Sequence, residues 1–168
     1  SSRRLYPLIL FMNIFAIADL HLCISTPEKS MAEISPLWID YVERIGTAWK
    51  KIVGKDDLVL IPGDITWAKN LEHALIDLAW IDALPGTKVL LEGNHDYWWP
   101  STAKLNALPF KTLHFLTGNA LRFGNCTLGG SRLWDGPFTC DSIIDFKENP
   151  KAKITAPKDP LEKKRIWE

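Results

Sequence analysis

The sequence predicts an α/β protein in which a parallel sheet carries helices on its faces. Three apolar runs with strand character, at 13–18, 58–64 and 88–96, alternate with two segments of helical periodicity, near 35–54 and 69–84. Strand, helix, strand, helix, strand is the order that builds a parallel sheet. In addition, each apolar run ends in a cluster of polar residues, as expected where the strands of such a sheet lead into a ligand site.

The first strand is predicted at 13–18, where NIFAIA is a continuous apolar run typical of a strand covered on both faces. We expect residues 1–11 to be an N-terminal extension, with Met12 as the natural start. The alternative is a secretory signal peptide, because a basic pair, an apolar run and an A-x-A sequence stand in that order. A transmembrane span is not expected, since the apolar run is short and is interrupted by Pro7 and Asn13.

Two helices are predicted between the strands. The first would begin at Ser35-Pro36, a capping residue followed by a proline suited to the first turn, and would end at Gly54. The second would occupy about 69–84 and end at Pro85-Gly86. Both contain apolar residues at helical spacing: Trp38, Tyr41, Val42, Ile45, Ala48, Trp49 and Ile52 in the first, and Leu71, Ala74, Leu75, Leu78 and Ile81 in the second.

After Pro109 the pattern changes. Short apolar runs at 111–119, 120–125 and 126–130 are separated by Gly-Asn turns and are predicted to be antiparallel strands or hairpins. Residues 135–159 are rich in Pro, Lys and Asp and are predicted to be a long loop, after which 159–168 resembles the opening turns of a helix. We expect residues 12–168 to form a single, incomplete domain.

Composition excludes several functional classes. The 168 residues include 20 basic and 20 acidic side chains, so the formal net charge is zero and no nucleic-acid-binding patch is predicted. Three cysteines, odd in number and irregularly spaced, argue against a disulfide scaffold or a cysteine-based zinc site. Because this use of cysteine favours a reducing compartment, we expect a cytoplasmic location.

The polar clusters contain metal-ligand chemistry. Asp19 and His21 follow the first strand, and in an extended segment two residues so spaced point to the same side and can share a divalent metal. Asp64 follows the second strand and has two carboxylate oxygens, enough to bridge two cations. Asn94 follows the third strand and offers an amide oxygen to a second metal. Two metals would activate a water and neutralise a phosphoryl group.

Three further residues complete the predicted site. His95 is expected to remain unligated and to act as a general acid near neutral pH. Asp96 is expected to orient a histidine from behind the ligands. Arg132 could contact a substrate phosphate, although a solvent-exposed arginine at a strand-end turn is the competing interpretation.

Asp19-x-His21, Gly63-Asp64 and Gly93-Asn94-His95-Asp96, in this order, resemble the first three motifs of the calcineurin-like metallophosphoesterase superfamily. The resemblance covers about 13–134. It implies a layered α/β/β/α sandwich and metal-dependent hydrolysis of a phosphomonoester, phosphodiester or pyrophosphate bond. It also implies that Asp19 and His21 bind one metal, Asp64 bridges, Asn94 binds the other and His95 protonates the leaving group. The metals would be Mn, Fe or Zn, and the substrate a small phosphorylated or nucleotide-type molecule.

This chain departs from the family pattern in two ways. Trp67 occupies a position where an acidic residue is usual, and the later Gly-His and Gly-His-x-His motifs are absent, since no histidine follows His114. The chain therefore resembles the N-terminal two-thirds of a family member, apparently truncated at its C-terminus. The alternative function is a catalytically inactive module that binds metal or depends on a partner.

Other residues have two open interpretations. His73 and His114 could be substitute ligands, but surface or satisfied polar positions are the more common roles of such histidines. Cys23 is more often a small buried apolar residue than a ligand. The aromatic run at 97–99 could be a wall that stacks on substrate or part of the core.

Overall fold

A computed structural model describes residues 12–124 and 126–132, which belong to one compact unit ending at Arg132. Four strands form a parallel sheet in the order β1-β2-β3-β4: β1 Ile14–Ala16, β2 Leu58–Pro62, β3 Thr87–Leu91 and β4 Leu113–Leu116. The predicted extension at 1–11, the loop at 135–159, the helix opening at 159–168 and the domain limit at 168 lie outside the described residues.

Three helices connect or follow these strands: α1 Tyr41–Ile52, α2 Leu71–Asp82 and the short α3 Thr102–Asn106. Because the strands are arranged in sequence order and parallel crossovers are right-handed, the connecting helices fall on one face of the sheet. Three turns of 3-10 helix, at Pro27–Lys29, Met31–Glu33 and Pro36–Trp38, lie between β1 and α1. No helix among the described residues has the length and apolarity needed to cross a membrane.

The other face of the sheet is covered by a hairpin. β5, Asn119–Phe123, pairs with β6, Cys126–Gly130, in antiparallel order, as predicted for this part of the chain. Apolar residues of the sheet and hairpin form a second core cluster: Leu58, Leu60, Val89, Leu91, Leu116, Leu121, Phe123 and Leu128, with Met12. The larger cluster lies on the helix side. The described residues therefore contain a helix layer, a parallel sheet and a β-hairpin layer, which confirms the α/β class.

Strand residues alternate between these two cores. Val59 and Ile61 contact the helix-side cluster, while Leu58 and Leu60 face the hairpin. This is the period-2 pattern of a sheet covered on both sides. β1 differs from the prediction: Ile14 is 48% exposed, because within residues 12–124 and 126–132 β1 pairs only with β2 and forms an edge of the sheet.

Two further predictions are corrected. α1 begins at Tyr41 and not at Ser35, because Asp40 adopts a left-handed conformation (φ 55°) that separates α1 from the preceding 3-10 turn. The Ser35 side chain does accept from a backbone N–H, that of Leu37, but it caps the 3-10 turn. The run containing β4 pairs in parallel with β3, because α3 and its flanking loops are long enough to return the chain to the same edge of the sheet.

Candidate metal centre

Three loops at the carboxyl edge of the sheet meet at one point. Asp19 and His21 follow β1, and Asp64 follows β2. Each of the three offers one ligand atom, and these atoms all lie within 4.8 Å of one another. His21 Nε2 is 3.9 Å from Asp19 Oδ1 and 3.7 Å from Asp64 Oδ2. The structure thus brings together three of the four residues predicted to bind metal.

The backbone at all three residues is left-handed. The φ angles are 57° at Asp19, 44° at His21 and 52° at Asp64, and among the described non-glycine residues only Asp40 shares this conformation. Left-handed φ is uncommon outside glycine, although Asp and His adopt it more readily than most residues. Asp19 and His21 therefore reach a common point through two backbone bends. The extended geometry predicted for them is wrong, since β1 has already ended at Ala16.

Backbone hydrogen bonds hold the first two loops side by side. Asp19 N donates to Gly63 O at 3.2 Å, and His21 N donates to Asp64 O at 2.9 Å. The pairing continues beyond the site, where Leu22 N donates to Ile65 O at 2.9 Å and Leu22 forms a parallel bridge with Thr66. The distance between the Asp19–His21 loop and Asp64 is consequently set by the main chain.

The third loop, which follows β3, contacts the loop after β2 through two glycines. A Cβ added to Gly63 would lie 2.8 Å from Gly93 Cα, and one added to Gly93 would overlap with the backbone N and the side chain of Asp64. Such close approach of two backbones requires glycine at both positions. His95 N donates to Asp64 Oδ1 at 3.0 Å, which leaves Oδ2 facing His21. Asp64 therefore offers mainly one oxygen to a metal.

His95, in the loop after β3, lies beside the group formed by Asp19, His21 and Asp64. Its ring centroid is 5.7 Å from that of His21, 5.0 Å from that of Trp67 and 6.2 Å from that of Tyr97. Asn94, half-buried, stands between Gly93 and His95, the two residues of this loop that contact Asp64.

Asp96 has a different set of partners from the one predicted. Its buried carboxylate accepts from the backbone N–H groups of Ile65 and Gly93, at 2.9 and 2.8 Å, and from the indole N–H of Trp98 at 3.0 Å. Burial raises the pKa of Asp96, and these hydrogen bonds oppose the shift. No histidine donates to it within the described residues. Asp96 therefore links the loop that follows Asp64 to the loop that carries Asn94 and His95, because its carboxylate accepts from backbone N–H groups of both loops.

The donor atoms suit a divalent metal. One imidazole nitrogen and two carboxylates are ligands of Zn²⁺, Mn²⁺ and Fe²⁺. Two ligands each about 2.1 Å from one ion stand about 3.0–3.4 Å apart at octahedral or tetrahedral angles. The observed 3.7 and 3.9 Å separations exceed hydrogen-bond length and approach this spacing. Burial lowers the pKa of His21 and the proximity of His95 lowers it further, against the opposing effects of Asp64 and Asp19. The neutral imidazole is the form that binds metal.

Sequence reasoning missed three residues that support the site. Asp77 on α2 is fully buried and accepts from Ile24 N at 2.9 Å and from the Ser25 hydroxyl at 2.6 Å, in the loop after β1. The Tyr41 hydroxyl donates to the His21 carbonyl oxygen. The Trp67 indole stacks on the His21 ring. Asp77 had a signal in the sequence, since it follows Ala74 by three residues and therefore shares the buried face of α2.

The remaining candidates lie elsewhere. The Arg132 guanidinium pairs with Glu92 at 2.6 Å, and this salt bridge joins the end of β6 to the residue before Gly93. His73 is exposed on α2. His114 lies on β4, where its ring meets Phe123 at 5.2 Å, on the hairpin side of the sheet. Of the aromatic run, Trp98 is buried in the core and Tyr97 is 71% exposed.

Comparison with known proteins identifies the family. The family model for calcineurin-like phosphoesterase matches residues 12–158. The gene 66 protein of Mycobacterium phage L5 is 42% identical over 89 residues, which are 50% of this chain and 40% of that protein, so the chain spans less than half of this relative. A protein of unknown function from Aquifex aeolicus, AQ665, is similar in its crystal structure with a TM-score of 0.43 and 23% identity, covering 81% of this chain and 73% of that one. Because the family model matches most of its length, the chain belongs to the calcineurin-like phosphoesterase family.

Proposed function

We propose that this protein is a metallophosphoesterase that hydrolyses a phosphoester or phosphoanhydride bond of a small phosphorylated or nucleotide-type substrate. The observation that carries the proposal is the convergence of Asp19, His21 and Asp64 on one point, with His95 on the adjoining loop. Family membership supports metal-dependent phosphoester hydrolysis in general.

The proposed ligands divide between two metals. Asp19 and His21 would hold one ion, Asp64 Oδ2 would bridge, and the Asn94 amide oxygen would contribute to the other. When bound, a pair of divalent ions such as Mn²⁺, Fe or Zn²⁺ activates water and neutralises phosphoryl charge. This chemistry suits a protein whose formal net charge is zero, because an anionic substrate then needs no basic surface.

His95 is the proposed proton donor. Its backbone N–H is held by Asp64, so the residue is anchored to a metal ligand while its ring stays outside the ligand group. From there the imidazole would donate a proton to the oxygen of the leaving group. General-acid catalysis of this kind contributes about 10²–10⁴-fold to rate.

The Arg132 guanidinium could assist at the phosphate, because its partner Glu92 immediately precedes the third loop. The Glu92 carboxylate neutralises part of that positive charge, so the contribution would be smaller than that of a free arginine. A cytoplasmic location belongs to the same proposal, and the cysteines of the chain, three in number and irregularly spaced, are consistent with it because they do not form the pattern of a disulfide scaffold.

The test uses the whole chain, stripped of metal with EDTA and titrated with Mn²⁺ by calorimetry. Hydrolysis of bis-p-nitrophenyl phosphate is measured on the same samples. Asp64→Asn should weaken Mn²⁺ binding by more than about 100-fold, since losing a direct ligand exceeds the 10–100-fold typical of residues behind the ligands. His95→Ala should leave binding unchanged and lower turnover by about 10²–10⁴-fold.

Matched controls are available on the same fold. Asp56→Asn changes an exposed carboxylate and His73→Ala an exposed imidazole, and neither should alter binding or turnover. If Asp64→Asn binds Mn²⁺ as tightly as the native chain, the proposed site is wrong. If His95→Ala retains full turnover, a different group donates the proton.

A second candidate function is a module that binds a single metal and has no turnover of its own, or acts with a partner. The three-residue ligand group surrounds one point, and no histidine follows His114 in these 168 residues to add ligands for a second ion. A stoichiometry of one Mn²⁺ per chain without hydrolysis would favour this candidate, whereas two Mn²⁺ with hydrolysis would exclude it.

A further inference from the structure

Three rings at the candidate metal centre are in mutual contact. The indole of Trp67 stacks on the imidazole of His21, with centroids 4.5 Å apart and planes inclined by 18°. The same indole meets the ring of His95 at 5.0 Å, and the two imidazoles are 5.7 Å apart. Trp67 thus touches both the proposed ligand and the proposed acid.

The main chain holds Trp67 firmly in this place. Its N–H donates to Leu22 O at 2.9 Å, one residue beyond His21. Its carbonyl oxygen accepts from Lys29 Nζ at 3.3 Å. Both partners belong to the segment that follows β1, Leu22 through its backbone and Lys29 through its side chain, so the backbone of Trp67 is fixed beside the segment that carries His21.

His21 lacks the contact that ordinarily orients a metal-binding histidine. Such a histidine donates its second ring N–H to a carboxylate, a carbonyl or a water, and this bond fixes the plane of the ring. His21 Nδ1 is buried and has no hydrogen-bond partner within the described residues. Asp96, the carboxylate expected in that role, is occupied by backbone N–H groups and by Trp98.

We infer that Trp67 is a positioning residue that orients the His21 imidazole by stacking and sets its spacing from His95. The inference rests on the proposed function, because it assigns Trp67 to the same metal centre. A stacked indole restricts rotation of the imidazole while leaving both ring nitrogens free at the edge, so Nε2 can stay directed at Asp19 and Asp64. Stacking would here replace the usual orienting hydrogen bond.

The test first examines the metal-free chain. The ring current of a stacked indole moves imidazole protons upfield, and the chain has only four histidines, so proton NMR in EDTA can resolve them. The ring protons of His21 should lie upfield of those of exposed His73, and the shift should disappear in Trp67→Leu. Trp67→Phe, which keeps an aromatic ring, should retain most of it.

Calorimetric titration with Mn²⁺ then measures the consequence. Trp67→Leu should bind at least about 10-fold more weakly than the native chain, as is typical when a residue that orients a metal-binding histidine is lost. Trp67→Phe should stay within about threefold. The control Trp80→Leu removes a tryptophan that packs against Gly46 between α1 and α2, and it should leave affinity unchanged.

The outcomes distinguish a failure of the proposed function from a failure of the positioning role of Trp67. If the native chain fails to bind Mn²⁺, the proposed function is wrong and the positioning role is overturned with it. If the native chain binds and Trp67→Leu binds equally well, only the positioning role is overturned. Should Trp67→Leu fail to fold, Trp67→Phe decides: a folded variant with affinity more than about 10-fold weaker contradicts rescue by an aromatic ring.

Discussion

Replacing Asp77 with alanine tests how α2 supports the candidate metal centre. The carboxylate is fully buried and binds the loop after β1 through Ile24 N, at 2.9 Å, and the Ser25 hydroxyl, at 2.6 Å. It also accepts from the Thr66 hydroxyl, at 2.7 Å, in the loop after β2. A single side chain therefore joins both loops that carry the proposed metal ligands.

The expected loss of stability depends on whether each hydrogen-bond donor finds another acceptor when the carboxylate is removed. The Thr66 hydroxyl also lies 3.1 Å from Leu22 O and can donate there, and Ser25 is only half-buried and can turn to water. Ile24 is 40% exposed, so water replaces part of the acceptor that its N–H loses and this loss costs about 1 kcal/mol, while the two lost charge-assisted bonds add about 2 kcal/mol together. We expect Asp77→Ala to lower the free energy of unfolding by about 3 kcal/mol. Asp77→Asn, which keeps an acceptor for Ile24 N, should cost about 1 kcal/mol.

Urea unfolding in EDTA measures the stability of both variants, and calorimetry with Mn²⁺ measures the effect on the centre. Mn²⁺ affinity should fall in Asp77→Ala, since the loops that carry His21 and Asp64 are no longer joined from behind. Glu72→Ala, an exposed acidic residue in the first turn of the same helix, serves as the control and should leave Mn²⁺ affinity unchanged and lower the free energy of unfolding by less than about 1 kcal/mol. A loss below about 1 kcal/mol in Asp77→Ala, with unchanged affinity, would refute this reasoning.

Two further predictions concern Gly93 and Lys88. Gly93→Ala should destabilise the fold by about 1–3 kcal/mol and weaken Mn²⁺ binding, because the added Cβ overlaps with Asp64. The control Gly129→Ala, whose Cβ would meet only Asn119 O at 4.0 Å, should change neither stability nor Mn²⁺ binding. Equal Mn²⁺ affinity in the two variants would contradict the prediction. Burial lowers the pKa of Lys88 to about 8, although Asp82 opposes the shift. Above that pH the unfolded chain still binds the proton and the folded chain does not, so the free energy of unfolding should rise by about 2 kcal/mol between pH 7.5 and pH 9.5. Thermal or urea unfolding of Lys88→Met should lack this rise, and a native chain with a flat profile would exclude the shifted pKa.

The location of the site was predictable because it depends on topology. Alternation of strands and helices places the residues after each strand at the same edge of a parallel sheet, whatever the details of the loops. Asp19, His21 and Asp64 could therefore be grouped from sequence alone, and the structure places them together. The bends that bring them together could not be predicted, because Asp and His adopt the left-handed conformation more readily than most residues but nothing in the local sequence marks where they do so.

The strand-pairing and hydrogen-bond partners of individual residues were harder to predict than the location of the site. The alternation of Leu113 and Phe115 on one face of β4 is the same for a parallel and an antiparallel neighbour, so the pattern does not contain the direction of pairing. Ser35-Pro36 is a valid start signal for a helical turn, and only the left-handed Asp40 limits that turn to the 3-10 type. Asp96 is next to His95 in sequence, yet its carboxylate accepts from Gly93 N, from the Trp98 indole and from backbone groups about 30 residues away.

The left-handed conformations of Asp19, His21 and Asp64 make the centre costly to the apo fold. Backbone strain of this kind is worth about 1–3 kcal/mol at each residue, and it persists only because the surrounding loops enforce it. Glycine would relieve this strain at any of the three positions while removing a proposed ligand. The three strained residues are therefore a local cost to the stability of the fold, and this cost is concentrated at the point where the proposed metal would bind.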